Sequence, residues 1–257
     1  MKIYNELADW FHLLTHPRDY ADEAADYVRL IHGALPAART LLELGAGGGN
    51  NASHMKRHFT CTLTDLSPRM LEVSRSINPD CEHLQGDMRE LRLGRQFDAV
   101  FVHDAVEYMT SLDDLSRAVQ TAYIHTRPGG VALFVPDGTS ETFAPSVDHG
   151  GHDGPDGRAL RYLEWILAPD PGETFYEVHY ACLLRERGEV RVVHDSHRHA
   201  LFTRQQWLDV IESAGFGLTT PALDQTTHET QVAFLARRPL AQATVAAYEG
   251  TDTSVET

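Results

Sequence analysis

Thr40-Leu41-Leu42-Glu43-Leu44-Gly45-Ala46-Gly47-Gly48-Gly49-Asn50 is the stretch whose reading decides the fold. Residues 40–44 form a short apolar run suited to a buried strand. Four glycines within the next five positions give the backbone freedom for a sharp turn, and the segment from Asn50 to about Phe59 suits a helix. Strand, glycine loop and helix together open a βαβ unit.

The pattern repeats downstream. Residues 60–64 read as a strand, Ser67 to Ile77 as a helix, Cys81 to Leu84 as a short strand and Phe97 to Val102 as another. Leu112 to Ile124 then reads as a helix, and Val131 to Val135 as a strand after the turn Pro128-Gly129-Gly130. Strands and helices alternating at this rhythm specify an α/β architecture with a doubly wound, mostly parallel sheet.

On the N-terminal side, Leu7, Trp10, Phe11 and Leu14, then Tyr20, Ala24, Tyr27, Val28 and Ile31, recur at spacings of three and four on either side of Pro17. That predicts two amphipathic helices, forming a helical cap over residues 1–36. On the other side, residues 136–158 shift to Gly, Pro, Asp and His, the composition of a long loop, which predicts a mobile lid. Residues 160–167, 174–185 and 190–201 alternate in the β manner, so residues 138–201 carry an inserted antiparallel β meander. Thr203 is placed to cap a helix ending at Gly215, residues 231–235 supply a last strand, and residues 240–257 read as a flexible tail. The whole is expected to be one domain over residues 1–239.

The 257 residues, 42% hydrophobic and 23% charged, can bury a sizeable core. Twenty-two Lys and Arg against 37 Asp and Glu leave a net charge of −15, which repels phosphate backbones and anionic lipid, so nucleic-acid and membrane partners are not expected. The same field favours cationic small molecules. Three cysteines with no CxxC spacing predict neither a metal knuckle nor a disulfide framework, and point to a reducing cytoplasm. A small molecule is the expected partner, and a homodimer is left open.

Three groups follow strand ends and therefore converge at the carboxyl edge of the sheet, where open α/β sheets bind ligands. The glycine loop lets a ligand approach bare backbone. It does not match a dinucleotide fingerprint counted from Gly45, because the third small position holds Asn50, and no Gly-Lys-Ser/Thr follows to make a phosphate loop. Asp65, twenty residues after Gly45, can accept both hydroxyls of a ribose. Gly86-Asp87-Met88 places a carboxylate for an exocyclic amine beside a side chain that packs on a base. Each also has a plainer reading, since Gly47 can serve the turn alone and Asp65 can cap the helix opened at Ser67.

Leu42-Glu43-Leu44-Gly45-Ala46-Gly47-Gly48-Gly49, Leu63-Thr64-Asp65-Leu66-Ser67-Pro68-Arg69-Met70-Leu71 and Gln85-Gly86-Asp87-Met88 together resemble the class I S-adenosylmethionine-dependent methyltransferases. Phe97-Asp98-Ala99-Val100 and Arg127-Pro128-Gly129-Gly130 fit the same family. The chain is similar more narrowly to the N-methyltransferases and N,N-dimethyltransferases of nucleotide-linked amino sugars in antibiotic biosynthesis. That narrower likeness rests on residues 19–25, on residues 85–97 and on the meander. The resemblance implies a Rossmann-like methyltransferase sheet, S-adenosyl-L-methionine as cofactor and a small-molecule acceptor, an amine by preference and a hydroxyl or carboxylate as the alternative. It implies that Tyr20, Glu43, Gly45, Ala46, Gly47, Gly49, Asp65, Leu66, Gly86, Asp87, Met88 and His103 hold the cofactor, and that Tyr4 and Tyr108 border the acceptor.

Methyl transfer asks a protein to align donor and acceptor and to manage the acceptor's proton. His103 and Asp104 follow the fourth strand and should face the methyl, with Glu107 one turn beyond. His103 is the expected base or orienter, and Asp104 or Glu107 the expected partner of an ammonium. As scaffold, His103 would be a hydrogen-bonded core residue and Asp104 a helix cap. A nicotinamide oxidoreductase and a non-catalytic cofactor-binding module are the rival functions. His197 and His199 share one strand face at period two, and with His194 and residues 148–153 they make a histidine metal site geometrically possible. No metal is required for methyl transfer to an amine, and none is expected.

Overall fold

The computed structural model describes residues 1–219 and 232–240. Five parallel strands form the body of its larger sheet: β1 (Thr40–Leu44), β2 (Thr60–Asp65), β3 (Glu82–Gln85), β4 (Phe97–His103) and β5 (Thr126–Val135). Adjacent residues in these strands go to opposite faces, and in the central β1, β4 and β5 both faces are covered, so those runs are largely apolar without alternation, whereas the edge strand β3 is polar and half-exposed. Leu42, Val100, Val102, Ala132 and Phe134 pack on one side, and Leu41, Ala99, Phe101, Val131 and Leu133 on the other. Helices α2 (Ala21–Ala34) and α3 (Asn50–Met55) contribute to the second cluster, while α5 (Leu112–His125) and α6 (Arg204–Ser213) contribute to the first.

β11 (Phe234–Arg237) adds antiparallel to β5, and β10 (Gly217–Leu218) follows it, giving the order β10-β11-β5-β4-β1-β2-β3. The order reverses between β1 and β4, which opens a crevice at their carboxyl ends. The cap expected at Thr203 holds: with Gln206 it closes a reciprocal capping box on α6. At the start of α4 (Pro68–Ile77) the cap is Ser67, which accepts from the Met70 N–H.

A second, four-stranded antiparallel sheet runs β6 (Ser146–Gly150), β7 (Ala159–Ile166), β8 (Phe175–Glu186) and β9 (Glu189–Ala200). The N-terminal segment packs on it: Ile3, Leu7, Trp10 and Leu13 share a cluster with Leu160, Cys182 and Leu184.

Several expectations need correction. The first N-terminal helix is broken into a 3-10 turn at Ala8–Trp10 and a single-turn α1 (Phe11–Leu14), because its apolar residues follow the curved meander instead of one straight face. Residues 146–150 of the expected lid are strand β6, paired with β7, and the His152 N–H donates to the Leu13 carbonyl at 2.9 Å, so this part of the segment is anchored. The Pro128-Gly129-Gly130 turn lies inside the span of β5. There it is a bulge between Phe97↔Thr126 and Ala99↔Val131, tight enough that a Cβ on Gly130 would meet the Asp98 carbonyl oxygen at 2.8 Å. The helix expected to reach Phe59 stops at Met55. The tail, apart from Leu240, and most of the segment before the last strand lie outside the described residues. Among the described residues, no helix is long and apolar enough to cross a membrane.

Candidate active site

A cavity of about 770 Å³ opens at the strand-order reversal, between the carboxyl edge of the parallel sheet and the inner face of the meander. The glycine loop forms its floor. Gly45, Gly47 and Gly49 all have left-handed backbones, at φ of 77°, 52° and 76°. A Cβ on Gly45 would sit 2.3 Å from the Ala105 Cβ and 2.9 Å from the Met88 Cε, so this glycine is set by close packing as well as by its torsion. Met88 therefore lies against the loop and lines the cavity, as do Ala46, Leu66, Gly86 and Asp87.

Asp65 ends β2 with its carboxylate turned to the loop. It accepts from the Gly47 N–H at 2.8 Å and from the Ser67 N–H at 2.8 Å, which leaves acceptor capacity on both oxygens. Both expected roles coexist: Asp65 supports the turn into α4 and lines the cavity. Burial raises its pKa, and the backbone N–H groups oppose that. Glu43, at the end of β1, is 3% exposed, and its Oε2 has no partner. Burial, then the neighbouring Cys81 and Asp65, push its carboxyl up to about 8. A buried acid with an open oxygen on a cavity wall fits the ammonium end of a ligand. Left-handed glycines, a ribose-competent carboxylate and this orphaned acid are an arrangement that S-adenosylmethionine fits. Asp87 is already engaged. Arg89 binds it through Nη2 at 2.6 Å and Nε at 3.0 Å, holding its carboxyl below the usual range, and also binds Asp114 at 3.1 Å.

Tyr20 lines the cavity, its hydroxyl accepting from Thr15 Oγ1 at 2.7 Å. The His12 ring closes the loop from above, with Nε2 3.1 Å from the Gly48 oxygen.

The opposite wall was only partly anticipated. His103, 7% exposed, stacks on Phe101 and places Nδ1 3.1 Å from Asp104 Oδ1 and 3.5 Å from Asn51 Nδ2. Its Nε2 has no hydrogen-bond partner and lies 3.8 Å from Glu23 Oε1. Burial lowers its pKa, so the ring is neutral near pH 7. The Asp104 and Asp137 side chains are 48% and 47% accessible, yet both line the cavity, where protein surrounds the water they meet. Burial and the Glu23 charge push Asp104 up to about 7, and burial and Asp104 raise Asp137 well above the carboxylate range. Glu107 is placed differently. It is 3% exposed, does not line the cavity, and accepts the Asp137 N–H at 3.0 Å, so it fixes Asp137 from behind.

Tyr4 and Tyr108 do line the cavity, with hydroxyl oxygens 2.8 Å apart. Beside them the meander contributes residues not singled out from the sequence: Tyr162, Glu164, Tyr176 and Tyr180. Tyr180 donates to Glu164 Oε1 at 2.5 Å. Asp137 was findable, since it stands just past the carboxyl end of β5 as Asp65 stands at the carboxyl end of β2. The tyrosines of the meander carried no signal beyond alternation.

His197 and His199 do share an inward face, but their ring nitrogens meet the Tyr108 hydroxyl at 2.8 and 3.4 Å. His194 points outward to His179 at 3.1 Å, and His152 meets Asp19 at 3.0 Å, so the histidines diverge. Among the described residues no group of three or more His, Cys, Asp or Glu side chains is arranged to hold a metal ion.

A family model described as "Methyltransferase domain" matches residues 42–134, the stretch from β1 to β5. The chain is 33% identical over 200 residues to the dTDP-3-amino-3,4,6-trideoxy-alpha-D-glucopyranose N,N-dimethyltransferase of Streptomyces venezuelae, covering 77% of this chain and 84% of that protein. It is 31% identical over 232 residues to the dTDP-3-amino-3,6-dideoxy-alpha-D-glucopyranose N,N-dimethyltransferase of Streptomyces fradiae, covering 83% and 84%. The crystal structure of DesVI from Streptomyces venezuelae superposes with a TM-score of 0.79 at 29% identity, over 91% of this chain and 98% of that one.

Proposed function

This chain belongs to the class I S-adenosylmethionine-dependent methyltransferases, and from that premise we propose that it methylates the amine of a nucleotide-linked amino sugar. The observation that carries this reading is the charge of the acceptor wall. Asp104, Asp137 and Glu164 face the cavity, and among the described residues lining it Arg89 is the lone arginine or lysine, already held by Asp87 and Asp114. A protonated amine lowers the energy of such a wall, whereas a phenolate or carboxylate raises it. The phosphates of a nucleotide are repelled by the same wall, so the sugar enters amine first with its phosphates toward the mouth.

When bound, S-adenosylmethionine supplies an electrophilic methyl group on a sulfonium. The chain's own part is to bind, align and deprotonate. Gly45 to Gly48, Asp65 and Glu43 hold the donor, with Met88 and Asp87 at its base, whereas Gly49 does not line the cavity and packs against Ser74 and Asn78. Asp104 and Asp137, both lining the cavity, receive the acceptor's ammonium. Alignment of this kind lowers the barrier by about 7–11 kcal/mol, and proton removal accelerates the step a further ~10²- to 10⁴-fold. His103, neutral, turns its buried Nε2 toward Glu23 and orients Asp104 through Nδ1 at 3.1 Å. The enzyme's place is the cytoplasm, in keeping with three unpaired cysteines.

A panel of dTDP-linked amino sugars, simple amines, phenols and carboxylates, assayed for S-adenosylhomocysteine release, tests the reading. Turnover is expected with the amino sugars. Turnover confined to phenols or carboxylates would overturn the amine assignment.

A further inference from the structure

We propose that Asp195, His197 and Tyr108 form a proton relay in the meander wall, with His197 as the base and Tyr108 as the hydroxyl through which it removes the proton of the bound ammonium. This rests on the acceptor being an amine. The three side chains come from the middle of β9 and from the turn after β4, and they meet in a line: Asp195 Oδ2 is 3.0 Å from His197 Nε2, and His197 Nδ1 is 2.8 Å from the Tyr108 oxygen. Only Tyr108 of the three lines the cavity.

The geometry fixes the direction of the relay. Asp195 is pinned by the N–H groups of Lys2 at 2.5 Å and Ile3 at 2.9 Å, and these with His197 outweigh burial to keep it ionised. An ionised carboxylate on Nε2 holds the ring's proton there, so Nδ1 is left as the acceptor facing Tyr108. The His197 and Asp195 side chains are 1% and 9% exposed, so a proton reaches the imidazole through the Tyr108 hydroxyl and not from outside water. At rest the Tyr108 hydroxyl donates to the Tyr4 oxygen at 2.8 Å; in the step it turns its proton to His197 Nδ1 as the ammonium nitrogen gives its own to the Tyr108 oxygen. The products are a neutral amine, an unchanged phenol and an imidazolium paired with Asp195. The proton returns through Tyr108 to water when the product leaves.

The groups facing His197 come from several elements. Tyr4 packs on it from the N-terminal segment, Tyr108 from the turn after β4, Tyr180 from β8 with Glu164 of β7 behind it, and His199 from β9 itself. Burial lowers the His197 pKa, and the hydrogen bond and charge of Asp195 oppose that. A relay also gives the distant meander a chemical reason to be tied to the N-terminus, which anchors Asp195.

The test compares pH–rate profiles of the wild type with Asp195→Asn, His197→Gln and Tyr108→Phe. Each variant is expected to fall about 10²-fold in kcat below the amine's own pKa and to converge on the wild type above it, where the amine arrives neutral. A wild-type-to-variant ratio constant across pH, with S-adenosylhomocysteine affinity unchanged, would show a structural role and overturn the relay. If the wild type methylates no amine, the functional reading fails instead. The relay then stands or falls on ¹⁵N NMR of the ligand-free protein at pH 7: a neutral His197 protonated on Nε2 supports it, and protonation on Nδ1 contradicts it.

Discussion

The two walls of the cavity are built in opposite ways. The wall proposed to hold the donor is backbone and strand ends: the left-handed Gly45 and Gly47, with Asp65 and Met88, lie within 44 positions of one another, and parallel register alone brings them together. The acceptor wall is side chains from distant places, with Tyr4 beside Tyr108 and both beside His197. A ligand common to a whole class can be held by main chain that varies little in shape, whereas an acceptor is selected by side chains that can be exchanged without disturbing the sheet.

Damage to the donor wall should be the more severe. Gly45→Ala forces a left-handed alanine against Ala105 and Met88, costing about 3 kcal/mol, so calorimetry should show S-adenosylhomocysteine binding about 100-fold weaker. Binding within a few-fold of wild type would mean that the loop is not the floor of the donor site. Asp65→Ala removes charge-assisted hydrogen bonds worth about 1.5–3 kcal/mol, a loss of roughly 10- to 150-fold in the same titration, with the fold retained.

Glu43 sharpens the comparison through opposite signs. A carboxyl raised to about 8 in the folded protein binds a proton that the unfolded chain releases near pH 4, so its contribution to stability declines as pH rises from about 4 through 8. Glu43→Gln should therefore raise the melting temperature of the ligand-free protein at pH 8 by several degrees while weakening S-adenosylhomocysteine about 10-fold. A lower melting temperature would show that the buried carboxylate is compensated. Asp104, raised to about 7, declines over pH 4 to 7 in the same sense, and Asp104→Asn should flatten that part of the stability profile.

On the acceptor wall the effects are smaller. Tyr180→Phe leaves Glu164 without its hydroxyl partner and should raise the KM for the amine about 5-fold with donor affinity unchanged. A change in donor affinity instead would join the two walls.

This asymmetry also explains what the sequence disclosed. Strand periodicity and the rule that ligands meet strand ends sufficed for Gly45, Asp65, Met88 and His103, because a parallel sheet converts position along a strand into position in space. Asp137 obeys the same rule after β5 but stood at the head of a Gly- and Pro-rich stretch that read as a lid. Glu107 was expected at the methyl on sequence proximity to Asp104, yet its side chain turns to the Asp137 backbone. For the meander, alternation predicted which residues share a face, as with His197 and His199, but not that the face carrying them turns toward the cavity. That depends on the packing of Ile3, Leu7 and Trp10, 150 or more positions away from Leu160 and Leu184, and no local pattern encodes it.

The division of labour between the walls is most directly measured by calorimetric titration of S-adenosylhomocysteine, then of a dTDP-linked amino sugar, into the wild type, Asp65→Ala and Asp137→Asn. The predicted result is a double dissociation: Asp65→Ala weakens the donor product roughly 10- to 150-fold and leaves the amino sugar within about 3-fold, and Asp137→Asn does the reverse, weakening the amino sugar about 10-fold. Equal weakening of both ligands by both substitutions would contradict a cavity with separate donor and acceptor walls.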